Sequence, residues 1–206
     1  SDDGLVVVGR AKKANGIYHA FRWTALGGMQ DLGNLGGDPS EATGVSSDGS
    51  IVAGWSYDTS SIFRAAKWTA ADGMKDLGAG DWSKATGISG DGSVISVNNN
   101  GIAYRWTLSG GLLNLGNLGG SSSEATAVSA NGSVIVGYSN NLAGDPYAFR
   151  WIDGVGIEQI GTFYSFARGV SGDGATVTGS ETGAAGLHRA FRWKQTGGFE
   201  FNIAGN

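Results

Sequence analysis

Five turns built on Asp-Gly or Asn-Gly punctuate the chain, at Asp3-Gly4, Asp48-Gly49, Asp91-Gly92, Asn131-Gly132 and Asp173-Gly174. Each is followed by a short block ending in tryptophan, at Trp23, Trp68, Trp106, Trp151 and Trp193. Successive turns lie 45, 43, 40 and 42 residues apart and successive tryptophans 45, 38, 45 and 42, so two independent landmarks share a mean spacing of 42.5. Such a period means stacked or ring-arranged units, none of which buries its apolar face alone.

Glu41 to Gly78 shows how one unit is built. Ala42 to Ser46 reads as a strand, and Ser47-Asp48-Gly49 as a hairpin turn in which glycine supplies the positive φ. Ile51-Val52-Ala53-Gly54 is a continuous apolar run, the mark of a strand covered on both faces. A polar loop leads to Ala65 to Thr69, and Ala71-Asp72-Gly73 turns the chain into Met74 to Gly78. These are strands a to d. Strand c recurs as Ala20 to Trp23, Ala103 to Trp106, Ala148 to Trp151 and Ala190 to Trp193, and the other strands recur with it. Four antiparallel strands per unit of this length predict an all-β fold, a five-bladed β-propeller. A β-helix is disfavoured, because its rungs need about half this period and the two halves of each unit are unlike. The whole chain reads as one repeat domain, with blades over 1–37, 38–80, 81–120, 121–162 and 163–206. The first blade lacks its inner strand a. That leaves a three-stranded blade, a closing strand supplied from elsewhere, or a longer array; the expectation carried forward is a closed ring with an incomplete closure blade.

Composition narrows the function. Glycine is abundant (38 of 206 residues) and proline scarce (2), as short strands and tight turns require. A net charge of −4 offers no basic footprint for nucleic acid. No apolar run reaches the 18 or so residues of a membrane helix. Ser1 to Gly9 already fits the repeat, so no signal peptide is expected and the chain reads as a mature or excised piece. With no cysteine there are no disulfides, thiolate metal sites or thiol catalysis.

His19-Ala20-Phe21-Arg22-Trp23, the Gly-Gly-Met-x-Asp-Leu-Gly run from Gly27 to Gly33, and Ala-x-Gly-Val-Ser-x-Asp-Gly from Ala42 to Gly49 together resemble the bacterial extracellular HAF repeat. The resemblance covers essentially the whole chain, although the initial His is kept once and its slot elsewhere holds Arg64, Ile102, Tyr147 and Arg189. It implies a secreted or surface-displayed module, such as an autotransporter passenger of Bartonella-like bacteria. The expected partner is a host cell-surface receptor, adhesion target or glycan, with a ligand that promotes vascular-cell growth as one form. No catalytic motif or cofactor comes with the resemblance.

The residues themselves offer one enzymatic candidate. Glu41 and Glu124 precede strand a two blades apart, and paired carboxylates across a channel mouth are what glycoside hydrolysis needs; the same slot holds Lys84 and Phe166. The strand c cations Arg22, Lys67, Arg105, Arg150 and Arg192 repeat, and so read as scaffold; Asp31, Asp76, Asn114, Gln159 and Asn202 of strand d are their expected partners. His19 and His188 are in unlike slots and form no triad or zinc site. The Asp-Gly turns lack the alternating acids of a calcium loop, and Gly36-Gly37 and Gly119-Gly120 lack the Lys-Ser/Thr of a phosphate loop, so neither metal nor cofactor is expected.

Departures from the repeat mark where recognition is expected. The b–c loops (10–18, 55–63, 98–101, 138–147 and 180–189) are the most diverse segments and share one face with the d–a loops. Tyr57, Trp82, Tyr147 and Tyr164 are the exposed-aromatic candidates, with Lys12 and Lys13 as a basic spot beside them. The first reading is therefore a non-enzymatic binding module; a lectin-like propeller and a glycoside hydrolase using Glu41 and Glu124 are the alternatives.

Overall fold

A computed structural model describes residues 1–162, 164–183 and 186–201. Among these there is no helix. The chain forms five antiparallel sheets in succession. The first has three strands, β1 (Val6–Lys12), β2 (Tyr18–Thr24) and β3 (Gly28–Asp31). The second has β4 (Gly36–Val45), β5 (Ile51–Asp58), β6 (Phe63–Thr69) and β7 (Gly73–Asp76). The third has β8 (Ser83–Ile88), β9 (Val94–Asn99), β10 (Ile102–Thr107) and β11 (Gly111–Asn114). The fourth has β12 (Ser123–Val128), β13 (Val134–Asn140), β14 (Pro146–Ile152) and β15 (Gly156–Gln159). The fifth has β16 (Ser165–Val170), β17 (Thr176–Thr182), β18 (His188–Lys194) and β19 (Gly198–Phe201). Each sheet is a meander of neighbouring strands, the architecture of a propeller blade.

Strands b and c extend further than their apolar cores. Trp55 to Asp58, Arg10 to Lys12 and Thr182 lie in β5, β1 and β17, so much of what reads as b–c loop is strand. The polar residues there face the rim of the molecule, which hides the two-residue period.

The turns between strands a and b share one chemistry. Ser46 Oγ accepts the Ile51 N–H (3.0 Å) and donates to Asp48 (2.6 Å), whose carboxylate also accepts the Ser50 N–H (3.0 Å). Ser89 with Asp91, Ser129 with Asn131, Ser171 with Asp173 and Ser1 with Asp3 repeat the arrangement. These donors, Ser46 first, hold the Asp48 carboxyl down at about 2 and also lower Asp91, Asp173 and Asp3. A lowered folded-state pKa adds stability that is complete above the unfolded value near 3.8 and is lost as pH falls toward 2. The urea midpoint is therefore expected to fall between about pH 4 and 2, and Asp48→Asn, which copies Asn131, to flatten that fall. An unchanged acid profile in Asp48→Asn would show that this turn does not couple to folding.

The cores lie between sheets, not within them. In each of the four seams, strands b, c and d of one sheet present an apolar trio to the preceding sheet: Val52-Trp68-Met74, Ile95-Trp106-Leu112, Ile135-Trp151-Ile157 and Val177-Trp193-Phe199. The preceding sheet covers three of these tryptophans with a strand c cation: Lys67 lies 5.1 Å from the Trp106 ring, Arg105 5.9 Å from Trp151 and Arg150 4.5 Å from Trp193. In the first seam Arg22 Nε instead donates to the Gly49 carbonyl (2.9 Å). A buried serine pins each seam: the hydroxyls of Ser40, Ser83, Ser123 and Ser165 accept the strand c N–H of Ala20, Ala65, Ala103 and Ala148 in the sheet before.

Two expectations need correction. Among the described residues, the strand c cations do not bind the acids and amides expected of them. Register places Arg22 and Arg150 opposite Gln30 and Glu158, one residue before the expected Asp31 and Gln159, which therefore point to the other face, and Arg192 opposite Glu200. Arg150 and Arg192 pair with Glu158 and Glu200, while Asp31 and Asp76 approach His19 and Arg64 (Asn202 is outside the described residues). Among the described residues the ring is also not closed. Each sheet packs on the next in chain order, but the described strands of the fifth sheet form no substantial packing against those of the first. The first sheet's trio is accordingly uncovered: Val7 is 47% exposed, Trp23 37% and Met29 60%, against 8% for Trp106.

Candidate functional site

The b–c hairpins are closed by tight local bonds, so the rim they form is held in place. Asp58 accepts the N–H groups of Ser60 (2.8 Å) and Ile62 (3.1 Å), and Asn141 accepts those of Ala143 and Asp145 (2.9 Å each). The Lys13–Ile17 and Gly183–Leu187 backbone bonds close the corresponding ends of the first and fifth sheets.

Between the second and third sheets the rim gathers four aromatic rings. Trp55 and Tyr57 come from β5 and Phe63 from the start of β6, their rings edge-on at 5.8–6.0 Å. Trp82, from the loop entering β8, meets Phe63 at 5.0 Å and 80°. Lys84 Nζ lies 4.8 Å from the centroids of both Trp55 and Phe63. Beside them Arg64 bridges Asp58 and Asp81 at 2.7 Å each, with Asp76 at 3.8 Å. Arg64 lowers the Asp58 pKa, helped by the Ile62 and Ser60 N–H groups. Trp82 is about half exposed and has φ +60°, a left-handed conformation that costs an ordinary residue roughly 1–3 kcal/mol and clusters at functional sites. Tyr164, in the equivalent slot of the fifth sheet, has φ +49° and is also exposed.

Of the six residues singled out in the sequence, the structure joins Tyr57 and Trp82 through Phe63. Lys12 stacks on Tyr18, 5.3 Å from its ring, and Lys13 is tied to Asp31 at 2.9 Å, both on the first sheet. Tyr147 and Tyr164 belong to the fourth and fifth sheets, so the six lie along the rim in separate places. Trp55, Phe63 and Lys84 were missed. Strand register shows the first two: Tyr57 lies opposite Phe63, and Trp55 opposite Glu41 on one side and Ala65 on the other; Lys84 reaches them from the next sheet.

His19 is buried at the rim of the first sheet, with Nδ1 2.9 Å from Asp31 and Nε2 2.7 Å from Asp38. Burial opposes ionisation of Asp31, but the Gly33 N–H, Lys13 and His19 outweigh it and hold its pKa at about 2. Glu41 and Glu124 have separate engagements. Arg10 binds Glu41 across the first seam at 3.0 Å. Glu124 lies opposite Tyr138 in the fourth sheet, and burial, with the neighbouring Glu124 carboxylate, pushes the phenol up to about 12. These glutamates occupy a slot that in three of the four seams holds a different pair: Arg10 with Glu41, Trp55 with Lys84, Tyr138 with Phe166 (5.0 Å). No cluster of three His, Asp or Glu suited to a metal occurs among the described residues, and none of their helices could cross a membrane, there being none.

Stacked four-stranded antiparallel sheets around a common centre define a β-propeller. The chain is similar in fold to TolB from Acinetobacter baumannii (TM-score 0.67, 15% identity, 98% of this chain and 53% of that one). It is similar also to a putative TolB from Agrobacterium tumefaciens (0.65, 17%, 96% and 80%) and to the β-propeller domain of the Trilobed protease from Pyrococcus furiosus (0.61, 9%, 98% and 68%). The chain thus spans about half the length of the Acinetobacter protein. By sequence it matches no family description and no curated protein.

Proposed function

We propose that the chain is a non-enzymatic binding module whose recognition face is the rim of b–c hairpins and d–a loops, centred on Tyr57, Phe63 and Trp82. The half-exposed Trp82, held in a left-handed conformation against Phe63, carries this reading. A rigid aromatic on a scaffold loses little entropy on binding, and Trp and Tyr dominate interface hot spots. Arg64, Lys84 and Asp81 add charge of both signs around it. The resemblance to HAF repeats supports a secreted or surface-displayed setting and a host cell-surface protein as partner. A glycan is the second reading, favoured by the same exposed indole face.

The combined variant Tyr57→Ala, Trp82→Ala, Tyr164→Ala is expected to weaken binding to immobilised endothelial surface proteins by about 30-fold or more, the scale of a lost hot spot. Unfolding should change little, because Trp82 and Tyr164 are exposed. Binding unaltered by the three substitutions would rule out this face, and binding confined to a glycan array would favour the lectin reading.

A further inference from the structure

Among the described residues, one joint at the rim occurs twice with different cations. In the second sheet Arg64, near the start of strand c, reaches Asp76 of strand d (3.8 Å) and Asp81 in the loop entering β8 (2.7 Å). In the first sheet His19 fills the same slot and reaches Asp31 of strand d (2.9 Å) and Asp38 at the start of β4 (2.7 Å). Register makes the strand d acids equivalent, since Asp31 lies opposite Phe21 and Asp76 opposite Ala66. Asp38 and Asp81 each stand two residues before the serine that pins the seam, Ser40 and Ser83. Where the slot is uncharged, at Ile102 and Tyr147, strand d offers the amides Asn114 and Gln159. Arg189 finds its acid in strand b, at Glu181.

We propose that the first seam carries a proton-dependent latch: the His19 imidazolium ties the first sheet to the start of β4 through Asp38, and loss of its proton opens that tie. The second seam has the same joint made permanent by arginine, whose charge does not titrate.

The geometry calls for the charged ring. Nδ1 lies 2.9 and 3.1 Å from the two Asp31 oxygens, and Nε2 lies 2.7 Å from Asp38 Oδ1. An ionised carboxylate only accepts, so both ring nitrogens donate, and only the imidazolium has two N–H groups. A neutral ring would turn one lone pair toward an oxygen, in a residue only 7% exposed. Among the described residues, the charged groups facing the ring are Asp31 and Lys13 of its own sheet and Asp38 of the second. Lys12 turns to the Tyr18 ring, and Arg10 and Glu41 pair with each other across the same seam. Two acids thus face one permanent cation, Lys13, and the proton on His19 completes the balance.

The latch has a window. Asn34, then His19, hold the Asp38 pKa below its ordinary 3.8, so the tie is complete above that value and is lost as rising pH neutralises the ring. The tied segment also packs on β5: Leu35 donates its N–H to Ser56 Oγ (2.9 Å), and Gly36 lies opposite Asp58. The latch therefore bears on the strand that carries Tyr57 to the rim.

The test follows amide hydrogen exchange at Leu35 and at Ala20, whose N–H crosses the seam to Ser40 Oγ (3.0 Å). The parent chain, His19→Arg and Asp38→Ala are compared at pH 5 and at pH 9, each pair at one pH so that the chemical exchange rate cancels. His19→Arg copies Arg64 and keeps the tie at both values; Asp38→Ala lacks it at both. The parent is expected to match His19→Arg within about two-fold at pH 5 and to exchange at least about ten-fold faster than it at pH 9, the scale of one lost charged hydrogen bond. Its ten-fold advantage over Asp38→Ala at pH 5 should shrink at pH 9 by a similar factor. Ratios of the parent to both variants that stay the same at the two pH values would overturn the latch. No ligand takes part, so this outcome is separate from any failure of the proposed recognition face.

Discussion

Trp106→Ala is expected to lower the unfolding free energy by about 3–5 kcal/mol, the cost of truncating a buried aromatic, whereas Trp23→Ala at the same repeat position should cost no more than about 1 kcal/mol. The two indoles differ in what lies over them. Trp106 donates from Nε1 to the Leu77 carbonyl (3.0 Å), lies beneath Lys67, and is packed with Ala53, Ala65, Ile95 and Val97. Trp23 has no sheet in front of it and remains 37% exposed. A domain with a typical 5–15 kcal/mol of stability would be brought near its limit by the first change and barely touched by the second. Urea titration of both variants decides it. Equal losses would mean that the tryptophans stabilise their own sheets and not the seams.

Gly174→Ala is the second large effect. Gly174 has φ +78°, and a β-carbon there would sit 2.5 Å from Val134 Cγ2 and 3.1 Å from Val134 Cβ, in the sheet before. Left-handed strain of about 1–2 kcal/mol and overpacking of about 1–3 kcal/mol act together. Gly73→Ala separates them, because Gly73 has φ +68° and nothing within 4 Å of the added carbon. Gly174→Ala should therefore cost more than Gly73→Ala by the overpacking share. If the two lose the same stability, Val134 yields freely and the turn does not lock the seam.

The sequence made the period and the turns plain because both are local. An Asp-Gly pair declares its φ, and strand b declares its burial through an unbroken apolar run such as Val134 to Gly137. What lay hidden depends on partners a whole unit away. Arg22 looked matched to Asp31 by proximity, but a one-residue difference in register sends Asp31 to His19. Glu41 looked free to face a channel, yet its partner Arg10 is on another sheet. Trp55 looked like loop because its strand neighbours Ser56 and Asp58 are polar at the rim. Ring closure depends on the summed angle between sheets, a quantity that no single residue encodes. Tyr57 and Trp82 were legible as departures from the repeat, while their junction through Phe63 was not.

An arc whose described sheets pack mainly on their neighbours has no reason to melt everywhere at once. The third sheet is clamped on two sides, the outermost sheets on one, and in such quasi-one-dimensional stacks opening free energy rises with the number of interfaces to be broken. Thermal fraying is thus directed inward from both extremities, and a protease or a pulling force would peel the terminal meanders before it reached the middle.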